Sequence, residues 1–278
     1  MRAGRVWLII ILFLLCLAPG ALAAAPATIA GAPDVRENLE YQISLGPWSD
    51  VARVHLVLKE LKPGHYLAEF SGAAQGMWKL LSRWLPERYQ TEMRYRDGRL
   101  QPMVYREEFQ EKGHQVLKEY RFDYDHSQLT LWRQVDGGEK IKAWEVPLTG
   151  PVYDLLSLFY NVRLDALGPA PGGATLRVMV LPNPKPQELV FCIGAATDQG
   201  LKVMVNSCSP GAGEADQYFI FLSPERVPTL AWTRVTLFGK LAGRLVNPGE
   251  VKKEGLLGLP PPLLPSLKPH VEDLSLLN

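Results

Sequence analysis

Alternation of apolar and polar residues with period two runs through most of this chain and restricts it to a β fold. Leu39, Tyr41, Ile43 and Leu45 alternate with Glu40, Gln42 and Ser44, and Val54, Leu56 and Leu58 repeat the pattern. Tyr120, Phe122 and Tyr124 do the same against Glu119, Arg121 and Asp123. Successive strand side chains point to opposite faces, so each run sets one face on a core and the other in water, as in antiparallel sheets. Short intervals separate the turn signals Lys62-Pro63-Gly64, Asp97-Gly98, Lys112-Gly113, Asp125-His126 and Asp136-Gly137-Gly138. Asp-Gly and Gly-Gly tolerate the positive φ that tight hairpins require. The pattern predicts a mainly β chain: an antiparallel meander curled into a half barrel or open barrel, as one domain over residues 36–246.

Two segments break the period. Met77, Leu80, Leu81 and Trp84 recur at i, i+3, i+4 and i+7, which predicts a short helix ended by Pro86. Val152, Leu155, Leu156, Phe159 and Tyr160 predict a second, with Pro151 at the first helical position and Asp154 in the first turn. A meander that curls without closing leaves one apolar side open, and these two short helices are expected to plug it as core packing.

Both ends differ from the body. Arg2 and Arg5 precede an apolar run, Val6 to Leu17, and Pro19-Gly20 lead into Ala21-Leu22-Ala23. Residues 1–23 therefore read as a cleaved signal peptide, and the mature protein is expected in the periplasm. The run is about a dozen residues, too short for a hydrocarbon core of roughly 30 Å. Leu14 and Leu15 precede Cys16 where a lipoprotein would carry a small residue, so lipidation is not expected. Later segments lack eighteen consecutive apolar residues, so no transmembrane segment is expected in the mature chain. Residues 247–278 form a Pro/Leu-rich C-terminal tail, with Pro260-Pro261-Pro262, Pro265 and Pro269. It cannot sustain a ladder or a long helix and is expected to trail, poorly packed. The alternative is that Leu256, Leu257 and the following leucines occupy the domain's own trough or dock on another protein. The ending Leu276-Leu277-Asn278 and the charged row Arg106-Glu107-Glu108 argue against an outer-membrane barrel.

Loss of Arg2 and Arg5 with the signal would leave 28 of the 30 Lys+Arg against 29 Asp+Glu. Nucleic acid, which calls for clustered positive charge, is not an expected partner. Catalytic signatures are missing too: there is no Gly-x-Ser-x-Gly elbow, His-Glu-x-x-His motif or phosphate-binding Gly-rich loop. Glu107 and Glu108 point to opposite faces and cannot share a site, and strand carboxylates such as these and Glu37 or Glu40 read as solvated surface. No cofactor is implied. None of the five histidines lies at ligand spacing from Cys192 or Cys208, so no metal site is expected.

Cys192 and Cys208 are a candidate disulfide. They flank an apparent hairpin, Leu189–Ala195 and Leu201–Asn206, turning at Thr197-Asp198-Gln199-Gly200. They are out of register for direct cross-strand partners, so a bridge needs a bulge or longer loop, and free thiols are the alternative. Trp48, Trp78, Trp84, Trp132, Trp144 and Trp232 read mostly as core. The concave face of a half barrel is nevertheless a natural apolar trough for an acyl chain or other hydrophobic ligand, and aromatic platforms also suit sugar rings.

The stretch from Tyr153 to Arg163, followed by Leu167-Gly168, resembles the core signature of an exported bacterial family, domain of unknown function 3108. Its Asp-x-x-Ser-x-x-Tyr-x-x-Arg helix corresponds to Asp154, Ser157, Tyr160 and Arg163. The opening Glu37-Asn38-Leu39-Glu40-Tyr41 and the late Val227-Pro228 are similar to that family as well, whereas Ser223-Pro224-Glu225 lacks the Asp expected there. The resemblance, over roughly Arg36 to Val246, implies a periplasmic, largely antiparallel half barrel and no known activity. The four signature residues are structural or ligand-facing. Asp154 and Arg163, too far apart to pair with each other, are each expected to tie the helix to strands, Arg163 as a buried ion partner. The function expected is non-enzymatic binding of an apolar or amphipathic envelope component, such as a lipid, or of an envelope protein partner. The alternatives are an envelope glycan hydrolase, or an interaction scaffold that docks through the Pro-rich tail.

Overall fold

The computed structural model describes residues 34–75, 86–168, 171–183, 185–205, 218–235, 238–247 and 256–257. The signal segment, the expected helix at Met77–Trp84, Cys208 and most of the tail lie outside the described residues. The first arm of the fold is β1 (Asp34–Leu45), β2 (Trp48–Lys62), β3 (His65–Ala74), β4 (Pro86–Arg96), β5 (Arg99–Glu111), β6 (His114–Asp123), β7 (Gln128–Val135) and β8 (Ile141–Pro147). A crossover of β9 (Val152–Tyr153) and α1 (Leu155–Arg163) follows. The second arm is β10 (Thr175–Asn183), β11 (Lys185–Thr197), β12 (Gly200–Val205), β13 (Tyr218–Leu222), β14 (Pro228–Val235) and β15 (Gly239–Leu245).

These strands form one open sheet with β8 at one edge and β9 at the other, and β1 pairs β15 in its middle. Neighbours are antiparallel except β9 and β10, which run parallel through Val152↔Met179 and Tyr153↔Val180. The meander leaves the centre, reaches the β8 edge, crosses by α1 and returns from the other side. The expected open, largely antiparallel sheet is present. Of the two expected helices, one lies among the described residues.

That helix also begins later than the periodicity indicates. Val152 and Tyr153 are strand, because β10 supplies their ladder partners, and Asp154 is the N-cap rather than a first-turn residue. Its Oδ1 accepts from the Leu156 and Ser157 amides at 2.9 and 3.1 Å, and the Asp154 amide donates to Ser157 Oγ at 3.0 Å. This reciprocal box satisfies amides that a helix start leaves unpaired. Among the hairpins, Asp97 and Gly98 take φ of 54° and 77°, as a tight turn between twisted strands demands. Gly200, at φ +115°, is fixed by a close approach as well: a Cβ there would lie 2.3 Å from the Leu222 carbonyl oxygen.

The helix is apolar on two sides and divides the interior. Leu156 and Tyr160 join a first-arm cluster with Leu39, Leu58, Tyr105 and Tyr120. Leu155 and Leu158 join a second-arm cluster with Phe191, Val203 and Leu222. The tail was expected to trail, yet Leu257 is 5% exposed within the first-arm cluster and Leu256 packs against it. Burying a leucine gains roughly 1.5–3 kcal/mol, enough to hold a short segment that has no ladder.

Candidate functional site

A wide apolar trough lies between the arms, over about 1860 Å³ counting the space open to solvent. Ile43 and Val54 wall it from the first arm, Phe191, Val203 and Ile220 from the second. Alternation explains this wall. Ile193, Val203, Ile220, Ala231, Gly243 and Ile43 are successive register partners across β11–β15 and β1, so one face of six strands is continuous and apolar. From α1 come Leu155, Leu158, Phe159 and Val162.

Charge enters this lining at one place. Asp165, in the turn after α1, and Arg226, in the β13–β14 turn, are ion-paired with Arg226 Nε 3.2 Å from Asp165 Oδ1. Both backbones are left-handed, with φ of 53° and 60°. The pair bridges two turns at the rim, where the Arg226 side chain is 28% and the Asp165 side chain 35% exposed.

The signature residues do not line the trough. Asp154, Ser157 and Tyr160 are each 0% exposed, and each is turned away from it. Thr91 Oγ1 on β4 donates to Asp154 Oδ1 at 2.6 Å, fixing the start of the helix. Arg163 is ion-paired with Glu37 on β1, fixing its end. A third tether had not been anticipated: Asn161 accepts from the Leu100 amide at 2.9 Å and donates to the Leu100 carbonyl at 2.8 Å. An Asn inside an otherwise apolar helical run was the available signal. The helix is thus pinned to β1, β4 and β5 by polar residues, while the apolar residues between them face the trough.

Burial governs the ionisation of these groups. It raises the Glu37 carboxyl despite the Arg163 guanidinium beside it, and raises Asp154 despite hydrogen bonds from Thr91, Ser157 and Leu156. Desolvation also holds the Tyr160 hydroxyl protonated well above its ordinary range.

Glu107 corrects the expectation of a solvated strand carboxylate. It is 8% exposed, faces Lys118 across the ladder at 3.6 Å, and is raised by burial. Glu37 is likewise buried, and Glu40 pairs with Arg53 at 2.5 Å. Asp165 is the one carboxylate in the trough lining among the described residues, so the paired acids of a glycan hydrolase are not assembled there. The described tryptophans are elsewhere too. Trp144 ends an aromatic row, Phe70–Tyr89–Tyr105–Tyr120–Trp144, with centroids 5.5 to 6.0 Å apart. Trp232 stacks on Phe219 at 4.2 Å on the face opposite the trough.

Cys192 shares that outer face. It sits opposite Met204 in the ladder, is 6% exposed and is disulfide-bonded. Its register partner is therefore not a cysteine, and Cys208 lies outside the described residues.

A family model described as protein of unknown function (DUF3108) matches residues 40–184. No curated protein matches the chain. Among solved structures, the crystal structure of a β-barrel-like protein of domain of unknown function DUF1849 from Brucella abortus is similar. It shows 9% identity over 78% of this chain and 98% of that one, with a TM-score of 0.43.

Proposed function

This chain belongs to the DUF3108 family of unknown function, its family match spanning more than half of its length, and from the trough we propose that it is a non-enzymatic binder of an apolar or amphipathic envelope component. The observation that carries the reading is the continuous apolar wall between the arms, interrupted by one rim ion pair. An acyl chain laid along such a wall is removed from water at roughly 25 cal/mol per Å², with no hydrogen bond required of the site. Polar groups on α1 are spent on tethering the helix, which leaves its apolar residues for the ligand.

We place the protein in the periplasm. Support comes from the basic start, short apolar run and Ala21-Leu22-Ala23 of residues 1–23, and from a disulfide at Cys192, which fits an oxidising compartment.

The test uses the chain from Ala24 onward, an apolar naphthylamine fluorophore, and palmitate as competitor. Binding that palmitate displaces is expected. Leu201→Trp, at a half-buried lining position, should weaken binding at least tenfold with an unchanged melting temperature. Failure of the parent chain to bind the fluorophore, or equal binding by a folded Leu201→Trp variant, would sink the proposal.

A further inference from the structure

A second pocket lies beneath the β4–β5 turn, beside the chain entering α1, over about 710 Å³ counting the space open to solvent. Arg99, Tyr124, Ser127 and Thr149 line it, and none of its lining residues is a carboxylate. Arg99 is half-buried, and its Nε is shut off from water with no hydrogen-bond acceptor. Arg36, Arg53, Arg106, Arg121 and Arg163 all lean on carboxylates, whereas none lies within ion-pair range of Arg99 among the described residues.

Nearby acceptors are turned elsewhere. Gln101 Oε1 takes Arg94 Nε at 3.1 Å, and the Pro102 carbonyl takes the Tyr124 hydroxyl at 3.0 Å. The Ser127 carbonyl accepts from the Leu148 amide at 2.8 Å, which joins two walls of the pocket. Arg94 lies over the Tyr124 ring, 5.3 Å from its centroid, and adds a second positive charge beside the pocket. Asp154 is buried behind it, with Oδ1 held by Thr91 and the helix amides, and does not line it. A half-buried guanidinium without a counter-charge is costly in proportion to its desolvation; Nε is closed to a ligand as it is to water, but an anion on the part of the guanidinium that lines the pocket offsets that cost.

We infer that this pocket binds a phosphate-type oxyanion, with Arg99 as the charged anchor and the Ser127 and Thr149 hydroxyls as further donors. Arg suits this task because its planar fork meets two phosphate oxygens at once. The phosphate can arrive free or as part of a small phosphate ester, since the pocket extends beyond the guanidinium. This site is separate from the trough and does not depend on the function proposed for it.

Titrate the chain from Ala24 onward with inorganic phosphate, and separately with glycerol 3-phosphate, by calorimetry at ionic strength fixed with chloride. Saturable one-site binding is expected for at least one of them; preference for the ester would identify a phosphate ester as the source, and equal binding a free anion. R99Q should weaken binding at least tenfold, while R244Q, at an exposed arginine on β15, should leave it unchanged. Leu201→Trp in the trough should also leave it unchanged. Thr149→Val, at an exposed position, should weaken binding severalfold and provides the test if R99Q melts early. Lack of saturable binding to either phosphate, or undiminished binding by a folded R99Q or Thr149→Val variant, overturns the inference.

Discussion

Arg163, the last residue of α1, is ion-paired with Glu37 near the start of β1, and their side chains are 5% and 1% exposed. The pair holds the crossover helix to the centre of the sheet, where the two arms meet. It is incompletely served: Arg163 Nε and the Tyr41 and Tyr160 hydroxyls around it have no hydrogen-bond partner. Removing one member strands a buried charge. R163M should therefore cost about 3–5 kcal/mol in urea unfolding at pH 8, and the double variant E37L/R163M distinctly less than the sum of its singles. Burial already raises Glu37, and losing Arg163 would raise it further. The R163M penalty should thus shrink as pH falls below 8 and the stranded Glu37 takes up a proton. Additive single effects would show that the pair is not coupled.

On the convex face, Glu119 receives Arg106 at 2.9 Å, Arg121 at 2.7 Å and Lys140 at 3.0 Å, and its side chain is 3% exposed. Burial alone would raise this carboxyl, but hydrogen bonds from the three cations outweigh it and hold it at about 2, below its ordinary 4.5. A depressed folded value means that its contribution is present above about pH 4.5 and is lost as pH falls toward 2. E119Q should cost roughly 1–3 kcal/mol at pH 7, with the gap to the parent closing across that window. Melts at pH 7, 4 and 2.5 check this. A gap as large at pH 2.5 as at pH 7 would place the effect in packing rather than charge.

Legibility in the sequence followed the physics of each element. β1, β2 and β6 were plain because each has one wet face, which period two records. Strand parity put Glu107 and Glu108 on opposite faces, but it could not tell which face was core. Arg106 and Glu108 alternate with another charged residue, so contrast was lost, and Glu107 was misread as solvated. The signature helix was found, yet apolar periodicity could not separate a two-residue strand from a first turn. Nor could it sort Leu156 and Tyr160, which face one core, from Leu155 and Leu158, which face the other. The rim pair of Asp165 and Arg226 and the tether of Asn161 to Leu100 depend on chain segments distant in sequence. Local pattern carries no record of them.

Cys192 lies on the outer face and is disulfide-bonded, while its ladder neighbour is Met204. With residues 1–23 removed, as expected of a signal peptide, Cys208 is the proposed partner. Alkylation of unreduced, denatured chain from Ala24 onward is expected to label no thiol, and C208S should expose one. Reduction should destabilise the fold by about 2–4 kcal/mol, as closure of a short loop predicts. Two alkylated cysteines in the unreduced protein would rule out this pairing.

Leu257 tests whether the C-terminal segment belongs to the fold. It is 5% exposed in the first-arm cluster and Leu256 packs beside it, although the strands end at Leu245. Among the described residues past Leu245, Val246 and Asn247 are hydrogen-bonded to Glu40 and Asn38, and Leu256 and Leu257 are the apolar attachment. Truncating a buried leucine to alanine costs about 2–5 kcal/mol in a rigid core. The lower end applies here, because a chain end can relax into the space left. L257A and a chain ending at Val251 should therefore lose similar stability, each about 2 kcal/mol, and deletion of residues 259–278 alone should lose much less. The same three chains report on the trough. If the remaining leucines stayed out of it, naphthylamine fluorophore binding would be equal for the parent and the 259–278 deletion, and that equality is the expected result. A rise in binding on deletion would mean that the tail competes for the trough, and loss of stability confined to the 259–278 deletion would place the anchor beyond Leu257.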